Sequence, residues 1–389
     1  MLFQFLDNKQ ECYKIFCEGQ LYSDYKNDNL SHTWAPSSQL LDKNIEYAQI
    51  WCDGKSLSEV CPDHIKQRFS VVNEKAKTYL RTFYNAKINL QDVCFYDLVP
   101  EKFLLDFYEA KNDITRFVFE NYQKPKNYEF VKNLLFFLKR IEERPLNLDL
   151  KLSDYAPKDG AARLKDCSDK ISYNPWGTVT GRLTTNKNSF PILTLNKGLR
   201  GCIKPQNDVF MELDFNAAEL RVLLGLLGEK QPEEDMHAWL GKNVFEDKFN
   251  REEVKKKVFA WLYNPNSRNK KLNQHLDRDK LYEQYYFDDK VHTPFGRTIE
   301  VSRDKAVNYL IQSTSSDMLL ASAMKVDQAL AHKKSFVSFC IHDSIVLDLS
   351  LEDKDMVEAL KDEFSKTSFG ELKVNLSLGK DFGSMKKIL

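Results

Sequence analysis

The sequence has no excess charge of either sign, since 57 lysines and arginines balance 57 aspartates and glutamates over 389 residues. Bulk charge therefore favours no particular partner. The charge is nevertheless unevenly placed: residues 182–206 carry five basic side chains and no acidic one, and residues 251–280 carry nine basic and four acidic. Two basic patches suit a cleft that binds a polyanion, although each patch alone also fits a solvated surface.

Several other features are missing. No apolar run approaches the roughly 20 residues that a membrane-spanning helix needs, and Asp7 and Lys9 come too early for the apolar region of a signal peptide. The eight cysteines include no CxxC pair, and Cys61 with His64 is only half of a structural zinc site. Single thiols are typical of a reducing compartment. We therefore expect a soluble protein of the cytoplasm (the host cytoplasm if the chain is viral). The sequence also shows no internal repeat.

The most informative stretch is 209–228. Side chains alternate from Val209 to Phe215 with the period of a strand. A dense apolar run then predicts a helix that ends at Gly228. Asp214 thus stands near the end of a core strand, where an acid is costly unless a cation or a donor meets it. Stabilisation by the helix dipole explains this acid equally well when the stretch is taken alone.

A second stretch, 336–349, places His342, Asp343 and Ser344 in a tight turn between two apolar strands. Neighbouring side chains on a strand point to opposite faces, so these three cannot form a hydrolytic triad. Asp343 is instead a candidate second carboxylate beside Asp214. Two carboxylates on strand ends suit a pair of magnesium ions about 3.5–4 Å apart. A purely structural turn aspartate is the alternative.

A third stretch, 251–264, predicts a helix with Arg251, Lys255, Phe259 and Tyr263 on one face, because they recur every four residues. A separate apolar stripe would anchor this helix to its domain. Two cations followed by two aromatic rings match the length of a nucleoside triphosphate, with the phosphates near the cations and the base near Tyr263. A solvated basic helix with a partly buried aromatic end is the alternative.

These stretches resemble the sequence motifs of family A DNA polymerases, the bacterial polymerase I and T-odd phage type. In the order of the family, the similar segments are 178–183 (the TGR loop), 214–221 (motif A), 251–263 (motif B), Asn308 with Gln312 (the Asn/Gln helix) and His342 with Asp343 (motif C). Five matches in the correct order over about 170–350 make chance implausible.

The resemblance implies a polymerase that uses dNTPs, primer-template DNA and two Mg²⁺ ions. Asp214 and Asp343 would bind the ions, with the carbonyl of Phe215 as a further ligand. Lys255 would also donate a proton to pyrophosphate. The remaining implied roles are nucleotide binding by Arg251, Lys255, Phe259, Tyr263, Glu219 and His237, and DNA contacts by Arg182, Asn308, Gln312 and His342.

Some of these roles are more specific than others. Glu219 would block a ribose 2′-hydroxyl, and a phenylalanine at 259 resembles family members that reject dideoxynucleotides. His237 resembles a histidine of the family that contacts phosphate, but a surface histidine explains it nearly as well.

The sequence also departs from the family pattern. Ser344 stands where motif C usually has an acid, and Asn264 replaces a glycine. Asp304 occupies the place of an arginine, which puts one primer-strand contact in doubt. Only about 30 residues separate Tyr263 from Thr293, so we expect shortened fingers.

The first ninety-odd residues have no Asp-x-Glu strand followed by the further acids that a two-metal exonuclease needs. We predict a reduced or inactive exonuclease-like remnant there, and hence no proofreading. An unrelated docking module is the alternative.

The predicted fold is α+β, a right-hand polymerase with an antiparallel palm sheet, helical fingers and helical thumb. The predicted divisions are 1–95 (N-terminal module), 96–150 (thumb), 151–224 (palm, first part), 225–300 (fingers) and 301–389 (palm, second part). A compact phage replication polymerase fits this pattern, with a processivity factor or replisome proteins as further partners, and a gap-filling or translesion polymerase fits equally well. Glu219 argues against a single-subunit RNA polymerase. The non-enzyme alternative is a primer-template binding protein with a silent site.

Overall fold

A computed structural model describes residues 1–7, 14–23, 29–37, 40, 44–90, 93–149, 167–264, 267 and 269–388. The chain forms two compact units, Met1–Phe136 and Phe137–Leu389. The predicted α+β class is confirmed. No helix within the described ranges combines the length and the apolar character needed to cross a bilayer. The five predicted divisions remain a prediction.

The first unit combines short strands with long helices. Its elements are β1 (Phe3–Phe5), β2 (Lys14–Cys17), β3 (Gln20–Ser23), β4 (His32–Thr33), β5 (Glu46–Tyr47), α1 (Ala48–Trp51), α2 (Leu57–Val60), α3 (Asp63–Asn85) and α4 (Glu101–Asn121), followed by α5 (Tyr128–Glu143), which continues into the second unit. Strands β1, β2 and β3 form an antiparallel sheet, and β4 pairs with β5 in parallel. Helices α4 and α5 lie on either side of Pro125.

Helices α3 and α4 pack through their apolar faces. Phe69 and Val72 of α3 share a buried cluster with Ile114 and Val118 of α4. Removing this apolar surface from water is the main force that holds the pair together. Beside the cluster, the buried side chain of Gln4 donates hydrogen bonds to Asn112 and Thr115, so its polar atoms are not left unpaired.

The cysteines differ in state from the sequence-based expectation. Within the described residues, Cys52, Cys61, Cys202 and Cys340 are free thiols. Cys94 is disulfide-bonded. The expectation that the cysteines are all single thiols is therefore wrong at Cys94, because spacing along the chain does not reveal which distant thiols meet.

The second unit contains the three stretches 209–228, 251–264 and 336–349. Its strands are β6 (Asn147–Leu148), β7 (Tyr173–Asn174), β8 (Thr184–Thr185), β9 (Ile203–Lys204), β10 (Val209–Phe215), β11 (Tyr286–Phe287), β12 (Lys290–His292), β13 (Thr298–Glu300), β14 (Phe336–Ile341), β15 (Ser344–Leu349), β16 (Lys366–Thr367), β17 (Gly370–Glu371), β18 (Val374–Gly379) and β19 (Lys386–Lys387). Its further helices are α6 (Ala218–Leu227), α7 (Met236–Asn243), α8 (Arg251–Tyr263), α9 (Lys270–His275), α10 (Arg278–Tyr285), α11 (Arg303–Ala329) and α12 (Val357–Ser365).

A five-stranded antiparallel sheet in the order β14-β15-β10-β18-β19 organises this unit. Strand β10 is its middle strand, and α6 follows it directly, as predicted. This helix ends at Gly228 with a φ of +79°, a left-handed conformation that glycine adopts without steric cost. The predicted strand pair is also confirmed, since β14 and β15 are joined by the two-residue turn of His342 and Asp343.

Helix α8 matches the predicted stretch 251–264 except at Asn264, which caps its C-terminal end. Asn250 and Glu253 form a capping box at its start, which satisfies backbone N–H groups that lack an intrahelical partner. The apolar stripe anchors the helix, with Val254, Val258 and Trp261 fully buried. The predicted binding face therefore lies on the side of α8 away from its anchor.

Candidate active site

Strand pairing brings the two candidate metal-binding aspartates to the same end of the central sheet. Asp214 of β10 lies opposite Ser344 of β15, the residue after Asp343. The backbone N–H of Phe215 donates to the carbonyl of Asp343 over 3.5 Å. On its other side Asp214 lies opposite Asn375 of β18. Asp214 is thus part of the strand and not of the helix that begins at Ala218, so the strand-end interpretation holds rather than the helix-dipole one.

The surroundings of Asp214 disfavour its charge. The pKa of Asp214 is raised to about 6, chiefly by burial and also by the nearby carboxylates of Glu212 and Asp343. A hydrogen bond that Asn375 donates over 3.0 Å acts in the opposite direction and lowers the pKa. The hydroxyl of Ser344 donates to Glu212 over 2.9 Å. Crowded carboxylates repel one another unless a cation neutralises them.

The donor set fits magnesium. Mg²⁺ prefers oxygen ligands and usually binds one or two carboxylates together with water and substrate phosphates. Among the described residues, no group of three or more His, Cys, Asp or Glu side chains could hold a metal ion. A cation held by Asp214 and Asp343 would therefore need backbone, water or substrate oxygens to complete its coordination.

Glu219, on the first turn of α6, joins three elements of the site. Arg182 donates to one of its carboxylate oxygens over 2.5 Å, and the hydroxyl of Tyr263 donates to the other. Burial and the Glu219 carboxylate raise the pKa of Tyr263, so its hydroxyl remains a donor. Arg182, a predicted DNA contact, is therefore paired with protein in this structure, although 44% of its side chain is exposed.

Side chains of the predicted nucleotide-binding face of α8 contact one another. Phe259 and Tyr263 stack with ring centroids 5.7 Å apart and planes within 10°. The Lys255 ammonium lies 6.0 Å from the centre of the Phe259 ring, and its side chain is exposed. Arg251 forms an ion pair with Asp235, a partner that the spacing of α8 did not indicate.

His237 lies close to this face and is buried, with only 4% of its surface exposed. Its ring centroid is 6.1 Å from that of Phe259, and its buried Nδ1 atom has no hydrogen-bond partner among the described residues. Burial lowers its pKa. The interpretation of His237 as a surface histidine is therefore wrong, because α7 turns this side chain inward.

The TGR loop is held by two groups from α11 and lies against the partly buried Arg297. Thr180 donates to Gln312 over 2.9 Å, and Ser316 donates to the carbonyl of Gly181 over 3.1 Å. Gly181 has a φ of +73°, and a Cβ atom there would lie 2.5 Å from the Arg297 guanidinium carbon. The positive φ favours glycine, and a Cβ atom would require the Arg297 guanidinium to shift, so the path of the loop that carries Arg182 depends on Gly181.

The remaining predicted DNA-binding residues line cavities. His342 is exposed in its turn with a φ of +51°, and together with Arg182 and Asp343 it borders a cavity of about 320 Å³. Asn308 borders a second cavity of about 360 Å³ with Tyr263. The structure thus brings Arg182, Glu219 and Tyr263 into one network, and it positions Asp343 and His342 on the wall of one cavity.

No protein-family profile matches the chain, and no curated protein sequence matches it. Among solved structures, the chain is similar to the POL domain of Pol1 from M. smegmatis, determined in complex with DNA primer-template and dNTP. The TM-score is 0.61 at 14% sequence identity, and the match covers 88% of this chain and 82% of that one. The chain therefore has the fold of a DNA polymerase domain, and at this identity the likeness carries the fold alone.

Proposed function

We propose that this protein is a DNA-directed DNA polymerase that extends a primer 3′-hydroxyl with dNTPs and requires magnesium. The observation that carries the proposal is the pairing of β10 with β15, which brings Asp214 and Asp343 to one end of the sheet. The polymerase-domain fold supports the same conclusion. Such a pair of carboxylates suits two-metal nucleotidyl transfer.

The carboxylates of Asp214 and Asp343, with the carbonyl of Phe215, would hold two magnesium ions. Bound magnesium would lower the pKa of the primer 3′-hydroxyl and offset negative charge on the leaving pyrophosphate. Asn375 holds one carboxylate oxygen of Asp214 over 3.0 Å and so restrains the orientation of the group.

The face of α8 would bind the incoming nucleotide. Arg251 and Lys255 would supply positive charge for the triphosphate, and Lys255 would donate a proton to the leaving group. The stacked rings of Phe259 and Tyr263 offer a surface for the base. His237, whose Nδ1 has no partner within the structure, is a further phosphate contact.

Glu219 would exclude ribonucleotides, because its carboxylate is fixed by Arg182 and Tyr263 and would meet a 2′-hydroxyl. This distinction favours a DNA polymerase over an RNA polymerase of similar fold. The primer terminus and the minor-groove edges would be contacted by Arg182, Asn308, Gln312 and His342.

We further infer that residues 1–95 supply no proofreading nuclease and that the compact chain serves phage DNA replication in a host cytoplasm. A gap-filling or translesion role is the alternative. Incubating the protein with a primer that ends in a mismatch tests the first inference. Magnesium-dependent trimming of that 3′ end would overturn it.

Primer extension with all four dNTPs tests the main proposal. We expect extension by the wild-type protein with magnesium, and none by Asp214→Ala or without magnesium. Glu371→Ala, a change at an exposed carboxylate of β17, is the control and should extend normally. Asp343→Ala should lose extension but still bind primer-template, a result that also excludes a silent binding protein. Extension that persists in both aspartate variants would contradict the proposal.

A further inference from the structure

The guanidinium of Arg251, which the proposed function assigns to binding of the triphosphate, forms an ion pair with Asp235. Nε of Arg251 donates to one carboxylate oxygen of Asp235 over 3.1 Å, and Nη2 donates to the other over 3.0 Å. The third nitrogen, Nη1, donates to Glu252 over 3.0 Å. All three nitrogens of the guanidinium are therefore engaged with carboxylates.

Asp235 is itself firmly supported. Its carboxylate caps α7 by accepting from the backbone N–H groups of His237 and Ala238, each over 3.1 Å. It also accepts from Nδ2 of Asn216 over 2.9 Å. Burial alone would raise the pKa of Asp235, but the hydrogen bonds from Arg251 and Asn216 outweigh it and hold the pKa well below its usual range.

Asn216 links this carboxylate to the metal-binding strand. It lies two residues beyond Asp214, and its own Oδ1 accepts from the N–H of Met236 over 3.0 Å. Its backbone carbonyl accepts from the fully buried Arg221 over 2.8 Å. Asp235 therefore has a fixed position relative to the end of β10, whereas Arg251 reaches it from the first residue of α8.

We propose that Asp235 is the counter-ion that Arg251 exchanges for the triphosphate of an incoming dNTP, so that Asp235 sets the affinity for nucleotide. This inference rests on the proposed function. A guanidinium binds a phosphate best through two parallel N–H groups, and the edge formed by Nε and Nη2 is the one that Asp235 holds. Binding of the triphosphate through that edge must therefore break the pair.

Glu252 is not an equivalent competitor. It makes one bond to Arg251, and 68% of its side chain is exposed, against 27% for Asp235. An ion pair that exposed contributes little because water and salt screen it. The two carboxylates beside Arg251 thus give a matched test and control.

The test is the KM for dNTP in single-nucleotide primer extension, together with calorimetric binding of dNTP to the protein without primer. Asp235→Asn keeps an oxygen that can cap α7 but removes the charge. We expect it to tighten dNTP binding and lower KM by about fivefold, equivalent to the ~1 kcal/mol of a well-formed, partly exposed ion pair. Glu252→Gln should leave both quantities within about twofold of wild type, whereas Arg251→Ala should raise KM.

Asp235→Ser is an independent variant if Asp235→Asn folds poorly, because serine is also a good N-cap residue for α7. Loss of support alone would lower kcat or thermal stability without tightening dNTP, so the split between KM and kcat separates the two roles. Unchanged or weakened dNTP binding in both Asp235 variants would overturn the inference while leaving a working wild-type polymerase. A wild-type protein that does not incorporate dNTP would instead defeat the proposed function.

Discussion

Replacing Arg297 with methionine should strongly destabilise the second unit, because this side chain compensates a fully buried carboxylate. Nε and Nη2 of Arg297 donate to Asp317 over 2.7 and 2.9 Å, and Asp317 has no exposed surface. Removing one partner of such a pair costs about 3–5 kcal/mol, since the remaining charge is left uncompensated. For a unit of this size, that loss lowers Tm by roughly 6–20 °C.

The loss should depend on pH. Burial raises the pKa of Asp317 even with Arg297 beside it, and without Arg297 the pKa must rise further. A carboxyl whose pKa is higher in the folded than in the unfolded state stabilises the fold when it is protonated, and this stability is lost as pH rises through the folded pKa. Arg297→Met should therefore be less destabilised relative to wild type at pH 5 than at pH 8.

Urea and thermal unfolding followed by circular dichroism at these two pH values measure the effect. Lys204→Met, which breaks the partly exposed pair of Lys204 with Asp381, is the control and should cost less than about 1 kcal/mol. The double variant Arg297→Met, Asp317→Leu should be more stable than Arg297→Met alone, because it leaves no buried charge. A loss in Arg297→Met that is no larger than in the control, or that ignores pH, would refute this reasoning.

Three further predictions concern the site. At limiting magnesium, dNTP incorporation should fall as pH drops through about 6, because protonation of Asp214 removes a ligand charge, and Asn375→Leu should move that fall to higher pH in a pH–rate profile. Gly181→Ala should cost about 1–2 kcal/mol in urea unfolding from its positive φ alone, and more because its Cβ meets Arg297; a neutral result would show that the loop is not fixed as described. Glu219→Ala should raise the kcat/KM for rNTP relative to dNTP, and an unchanged ratio would exclude Glu219 as the gate.

Local patterns along the chain predicted the elements of the site well. The period-2 alternation of β10 and the spacing of four on α8 each reflect burial of one face. The dense apolar run of α6 reflects a helix that is buried almost all round. Gly228 marked the end of α6 because few other residues adopt its φ. The turn of His342 and Asp343 followed from the two apolar strands that flank it.

Contacts between distant residues were not predictable in this way. Asn375 lies 161 residues from Asp214, which it restrains. Asp235 lies 16 residues from Arg251, on a different element, and stands in no periodic pattern with it. Arg297 and Asp317 lie 20 residues apart in the sequence, and only tertiary packing brings their side chains together. The pairing of Arg182 with Glu219 is likewise invisible in the sequence, because 37 residues separate the two side chains.

The most direct test of the two-carboxylate centre is the binding of Mn²⁺, a spectroscopically visible substitute for Mg²⁺, measured by electron paramagnetic resonance in the presence of primer-template and a non-hydrolysable dNTP. Wild type and the control Glu371→Gln should bind Mn²⁺ alike, while Asp214→Asn and Asp343→Asn should each lose bound ion. If both aspartate variants bind as much Mn²⁺ as wild type with the same affinity, these carboxylates do not hold the metal, and the proposed polymerase mechanism is wrong.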